Sequence, residues 1–114
     1  MTHAALTSIT DDTFADEVLR SELPVLVEFT ADWCPPCKKI EPVLAQLAVE
    51  EAGRLRIVQL DVDANPATTL AYRVLSMPTL MLFQAGEPVK VLVGARPKGR
   101  LLTELADHVA LSPR

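Results

Sequence analysis

The sequence has 114 residues, of which 49% are hydrophobic and 23% charged, with two cysteines and a formal net charge of −4. A chain of this length can bury one hydrophobic core but not two, so residues 1–114 are predicted to form a single domain. The composition excludes disordered chains and disulfide-dense secreted miniproteins, and the negative charge disfavours binding to nucleic acid or to an anionic membrane.

The first seven residues carry neither a basic leader nor a continuous apolar segment, so no secretory signal is expected. No apolar run approaches the roughly 18 residues that a membrane span needs. We therefore expect a cytoplasmic protein with no membrane association. In that compartment, a cysteine pair is more often catalytic or metal-binding than structural.

The first elements follow from changes in the spacing of apolar residues. Residues 6–9 are predicted to form a short strand, and the oxygens of Thr10 and the two aspartates after it suit the start of a helix. Residues 25–30 form a nearly all-apolar, β-rich run, typical of a strand covered on both faces. Helical spacing then extends from Cys34 to about Glu51, with Pro42 expected to kink the helix.

The next two elements are a strand at residues 55–62 and a short helix that ends near Tyr72. Asn65 is the predicted cap of this helix, and Pro66 occupies its first position, where a missing N–H costs nothing. A strand followed by a helix repeats the pattern of the preceding segment. Strands that alternate with helices imply a sheet that is covered by helices.

Residues 79–83 and 89–93 are predicted strands, joined across a glycine-containing loop at 84–87 to form a hairpin. Pro97 opens the last helix. The order is therefore β-α-β-α-β-α-β-β-α. It predicts an α/β fold, with a mixed sheet of about five strands flanked on both faces by about four helices.

The segment Trp-Cys-Pro-Pro-Cys-Lys, residues 33–38, lies between the buried strand and the long helix. Cys34 occupies the helix N-cap, where unpaired N–H groups and the positive end of the helix dipole favour a thiolate. Cys37 faces the same side one turn later and can close a disulfide with Cys34. The spacing therefore favours a redox pair in which one thiol attacks a disulfide and the other resolves the product.

Three other uses of the two cysteines are weaker. A structural disulfide across four residues would add little to a core of this size. A zinc site needs about four ligands, and His3 and His108 stand at opposite ends of the chain. Covalent haem attachment needs a histidine after the second cysteine, where this chain has Lys38. We expect no metal and no bound cofactor, because the two sulfurs carry both electrons.

The motif and its surroundings resemble the thioredoxin family, in order and without large insertions, over about residues 6–110. The resemblance implies the thioredoxin fold and general protein-disulfide reductase activity, in a redox carrier that acts on disulfide-containing client proteins. It also implies regeneration by an NADPH-dependent thioredoxin reductase. The matching segments are residues 27–32, 33–38, 61–66 and 77–79, together with Gly86 and Gly94.

The resemblance assigns roles to individual residues. Cys34 becomes the nucleophile and Cys37 the resolving thiol, while Trp33 packs against the active-site loop. Glu28 stands where the family has an aspartate, within an apolar strand. If Glu28 is buried, its pKa should rise, and it could take and return the Cys37 proton. The alternative is a strand-edge glutamate in water.

The client-binding groove is also implied by the resemblance. Pro78 matches a cis-proline that faces the disulfide, and Met77 before it would offer backbone hydrogen bonds to an extended client segment. Gly94 and its neighbours would complete the apolar groove around the cysteines. Pro35, inside the motif, is expected to line the same groove.

Three residues depart from the family pattern. Pro35 replaces a glycine and supplies no N–H to a Cys34 thiolate, so a stiffer loop and a more oxidising pair are expected. Gln59 replaces a lysine beside the acid, and Thr30 replaces a tryptophan. Two other functions stay open on the sequence: a disulfide oxidase or isomerase, and a binding module without turnover. In each case a monomer is expected.

Overall fold

The central sheet delivers three parallel strands to one edge, where the cysteine motif follows. The computed structural model describes residues 6–112, and the strands there are β1 Thr7–Ile9, β2 Val25–Thr30, β3 Arg56–Asp61, β4 Thr79–Gln84 and β5 Glu87–Val93. They lie in the order β1-β3-β2-β4-β5. Strands β1 and β2 run parallel to β3, whereas β4 is antiparallel to β2 and β5.

The helices cover the sheet as the sequence order predicts, so the mixed α/β fold is confirmed. They are α1 Pro35–Glu50, α2 Pro66–Ala71 and α3 Lys98–Leu105. The first predicted helix is smaller than expected: the segment Ala15–Leu19 forms one π-helical turn. Helix α1 is continuous across Pro42.

The start of α2 differs from the expectation in its cap. The side chain of Asn65 makes no capping hydrogen bond to the helix. Instead the Asp11 carboxylate accepts from the N–H groups of Ala67 at 3.2 Å and Thr68 at 2.9 Å. Asp11 was expected to serve the helix that follows it in sequence. It serves a helix more than fifty residues away because the sheet brings the ends of β1 and β3 together.

The side chains of β2 alternate between two apolar layers, as the pleat of a strand requires. Val27 and Phe29 belong to the layer that also contains both cysteines. Leu26 belongs to the layer that packs against α1. Glu28 is two residues after Leu26, so its side chain points to the same face of the sheet and its carboxyl group lies beneath α1. Its strand, β2, is the middle one of the five. Helix α1 supplies Ile40, Leu44 and Leu47 to that layer.

The hairpin between β4 and β5 is tighter than predicted, because β5 begins at Glu87 and leaves only Ala85 and Gly86 between the strands. Gly86 has φ +80°, and a Cβ there would lie 3.1 Å from the Leu19 carbonyl oxygen. Gly53 has φ +87° with open space around it. Both positions therefore require the left-handed region, but only Gly86 is also crowded.

We expect Gly86→Ala to destabilise the fold more than Gly53→Ala. A side chain in the left-handed region costs about 1 kcal/mol, and the contact with Leu19 adds at least about another 1 kcal/mol. The difference in the free energy of unfolding, measured by urea denaturation, isolates the crowding because both variants share the backbone cost. Equal losses in the two variants would mean that the turn relaxes away from Leu19.

No helix within residues 6–112 is long and apolar enough to cross a bilayer.

Candidate functional site

The two cysteines lie where the chain leaves β2 and enters α1, and both are buried. Cys34 is the N-cap residue of α1, as the sequence predicts, and its backbone is extended there. Cys34 and Cys37 are joined in a disulfide with their Cα atoms 5.3 Å apart. Among the described residues no cysteine is free. The pair is therefore a disulfide at a helix N-terminus, which can be reduced by two electrons to a dithiol.

The backbone around Cys34 offers one donor to its sulfur. Pro35 and Pro36 are the first two residues of α1, and neither has an N–H. The N–H of Cys37 donates to Cys34 Sγ at 3.2 Å. A thiolate formed at Cys34 would keep this hydrogen bond and the positive end of the helix dipole. Pro35 supplies no N–H to Cys34, as the sequence predicts, but the N–H of Cys37 takes its place as a donor.

Trp33 is held beside the motif by a contact that the sequence analysis missed. Its indole Nε1 donates to Asp63 Oδ2 at 2.8 Å, while 63% of the residue stays exposed. Asp63 is thirty residues away along the chain, so the spacing of the motif gives no sign of this contact. An exposed indole fixed at its polar edge presents an apolar face to solvent.

The peptide bond between Met77 and Pro78 is cis, as the family resemblance implies. The Gly94 N–H donates to the Pro78 carbonyl at 2.8 Å, which fixes the end of β5 beside this bond. A groove of about 260 Å³ continues from there, and the exposed side chain of Val93 and that of Leu75 line it. The structure thus places Met77, Pro78 and Gly94 together beside an apolar groove.

Glu28 is fully buried, with an exposed fraction of 0%, so the strand-edge interpretation is wrong. Gln59 Nε2 donates to Glu28 Oε1 at 3.0 Å, and Oε2 has no hydrogen-bond partner among the described residues. Burial raises the pKa of Glu28 from its ordinary value of 4.5 to about 7. The Gln59 hydrogen bond and the charge of Lys38 lower the pKa, whereas Glu41 raises it.

A polar cavity of about 390 Å³ lies at the carboxyl ends of the three parallel strands, lined by Thr30, Lys38, Glu41, Gln59 and other polar residues. Within it Thr30 Oγ1 donates to Glu41 Oε2 at 3.2 Å. Sequence reasoning missed Glu41. Glu41 comes four residues after Cys37, and residues at this spacing share a helix face. This spacing could have identified Glu41 as a neighbour of the site.

Neither histidine of the sequence is among the described residues that form the site. His3 lies outside the described residues, and His108 is exposed after α3. Between residues 6 and 112 no three histidine, cysteine or acidic side chains gather closely enough to hold a metal ion.

The chain resembles known proteins along most of its length. The thioredoxin family model matches residues 5–107. A thioredoxin of Streptomyces clavuligerus is 53% identical over 97 residues, which cover 85% of this chain and 90% of that protein. A thioredoxin of Mycobacterium tuberculosis is 51% identical over 106 residues, 93% of this chain and 91% of that protein.

A further relative contains more than this chain does. The bifunctional thioredoxin reductase/thioredoxin of Mycobacterium leprae is 48% identical over 101 residues, which cover 89% of this chain but 22% of that protein. The match in that longer protein is thus confined to about a fifth of its length.

Proposed function

The chain belongs to the thioredoxin family and is a protein-disulfide reductase of that type, and from this premise we propose how its residues divide the reaction. Cys34 is the attacking thiolate and Cys37 the resolving thiol. The position of Cys34 at the N-cap of α1, with the Cys37 N–H 3.2 Å from its sulfur, is the observation that carries this assignment. The helix terminus stabilises the thiolate there and not at Cys37, one turn inside.

In the reduced protein the Cys34 thiolate attacks one sulfur of a client disulfide. A new sulfur–sulfur bond forms to Cys34, the client bond breaks, and the released client thiolate takes a proton. Cys37 then loses its proton and attacks Cys34 Sγ, which releases the second client sulfur. Two electrons pass to the client, and the protein is left with the Cys34–Cys37 disulfide.

Glu28 takes the proton that Cys37 must lose. Its carboxyl group lies beneath the start of α1, where it interacts with Lys38, which follows Cys37 directly, and with Glu41, one turn after Cys37. A carboxyl group with a pKa of about 7 is half ionised at neutral pH, so it can both accept and return a proton. An aspartate or glutamate at its ordinary pKa would accept poorly.

The client segment would lie in the groove beside the cysteines. We assign Trp33 and Pro35 to one wall of it, and Pro78 and Gly94 to the other. The backbone of Met77 would pair with an extended segment, which is a short strand addition. The contacts use backbone atoms and an apolar surface, so they suit many client sequences.

The partner that restores the dithiol is an NADPH-dependent thioredoxin reductase. The Mycobacterium leprae relative, whose name joins both activities, supports this class of partner. The chain itself uses its two sulfurs and no bound cofactor. We place it in the cytoplasm, acting as one domain and as a monomer.

The experiment is a coupled assay with NADPH, a thioredoxin reductase and a disulfide-bonded protein such as insulin. We expect NADPH oxidation that depends on this chain, and a Cys34–Cys37 potential below the cytosolic glutathione poise in a glutathione series. A potential well above that poise would indicate an oxidase or isomerase. Client binding without NADPH oxidation would indicate a binding module.

A further inference from the structure

Glu28 has no direct route for its proton to solvent. Its exposed fraction is 0%, and Leu80 lies opposite it on β4. On β3 the Gln59 amide donates to one carboxyl oxygen, and an amide does not titrate in this range. When a client covers the groove, water is excluded from the cysteine side as well. A proton taken from Cys37 therefore needs another exit.

The polar cavity at the carboxyl ends of β1, β2 and β3 lies beside two of the residues that surround this carboxyl group. Gln59 and Glu41 both line the cavity, and Glu41 interacts with Glu28. At about 390 Å³ the cavity has room for several water molecules with polar partners. It therefore connects the surroundings of Glu28 to solvent at the carboxyl ends of the three parallel strands.

Glu41 is the titratable group best placed between Glu28 and this cavity. Thr30 holds one oxygen of its carboxylate at 3.2 Å. Lys38, also on α1, is the cation that interacts with Glu28, and Asp32 and Asp61 line the cavity. The carboxylate oxygens of Glu41 can accept a hydrogen bond from a protonated carboxyl group, whereas the ammonium group of Lys38 can only donate.

We propose that Glu41 is a positioning residue that passes the proton of Glu28 to water in the polar cavity, so that the proton from Cys37 leaves beneath α1. This inference rests on the role proposed above for Glu28. The proton moves from Cys37 Sγ to a Glu28 oxygen, then by way of the Glu41 carboxylate to cavity water. No electrons move in these transfers.

The test separates the attacking step from the resolving step in one reaction. Reduced protein is mixed with 5,5′-dithiobis(2-nitrobenzoate) in a stopped-flow instrument. The first release of coloured thiolate reports attack by Cys34, and the second reports attack by Cys37 on the mixed disulfide. Rates of both phases are measured across pH, with and without added imidazole as an external proton carrier.

We expect Glu41→Gln to slow the second phase about fivefold or more and to leave the first phase unchanged. The pH midpoint of the second phase should move downward, because a negative charge near Glu28 is gone. Imidazole should restore the rate, and Glu41→Asp should restore it in part. Glu50→Gln is the matched control, since Glu50 lies at the far end of α1 and pairs with Lys98 at 2.9 Å.

The Glu28→Gln variant makes the two proposals separable. If Glu28→Gln slows the second phase and Glu41→Gln behaves like Glu50→Gln, the relay through Glu41 is wrong and the role of Glu28 stands. If Glu28→Gln itself leaves the second phase unchanged, the proposed role of Glu28 fails. Equal slowing by Glu41→Gln in the wild-type and Glu28→Gln backgrounds would also overturn the relay, since Glu41 would then act independently of Glu28.

Discussion

Cys34→Ser is expected to abolish disulfide reduction, with a loss of about a thousandfold or more, as for other enzymes that lose their nucleophile. A hydroxyl does not ionise near neutral pH, so the helix terminus has no anion to stabilise. Cys37→Ser should lose turnover as well, but for another reason: Cys34 still attacks, and the mixed disulfide with the client is not resolved. Activity is measured in the coupled assay with insulin.

The two variants differ in what they accumulate. With Cys37→Ser, covalent adducts to client proteins should appear on non-reducing gels and disappear on reduction, whereas Cys34→Ser should form few. The sequence contains only two cysteines, so each single variant leaves one possible attachment point. Comparable adducts from both variants would contradict the assignment of attacking and resolving roles.

Glu28→Gln is expected to remove a stability loss that the wild-type protein suffers as pH rises. Burial raises the pKa of Glu28 from 4.5 to about 7. Below about pH 4.5 the carboxyl group is protonated in both the folded and the unfolded chain, so the free energy of unfolding loses nothing through Glu28. Between 4.5 and about 7 only the unfolded chain ionises, so the free energy of unfolding falls by about 3 kcal/mol in all.

The variant keeps the hydrogen bond from Gln59, because the new amide oxygen can accept it. Its advantage over wild type should therefore grow from pH 4.5 to 8 and then stay constant. The measurement is urea denaturation at several pH values with the disulfide intact, so that the cysteines do not titrate. Glu22→Gln, in the exposed loop before β2, is the control and should follow the wild-type curve. A constant difference between Glu28→Gln and wild type would refute the raised pKa.

The position of the chemistry could be predicted because its causes are local. The change from strand spacing to helical spacing around residue 34 set Cys34 at a helix N-cap, and the structure confirms that position. The mixed α/β fold followed from the order of such segments. An apolar strand interrupted by Glu28 likewise singled out this acid, but the sequence left a buried and a strand-edge position open, and only the structure shows that Glu28 is buried.

Contacts between distant segments could not be predicted in this way. Asp11 caps α2, and Asp63 binds the Trp33 indole, because the strand order brings separate loops to one sheet edge. The approach of Glu41 to Glu28 depends equally on how α1 lies across β2. Periodicity and capping act over a few residues, so the sequence by itself determined the elements and the reactive cysteine. Packing acts across the sheet, so only the tertiary structure decided which side chains surround the buried acid and where its proton can go.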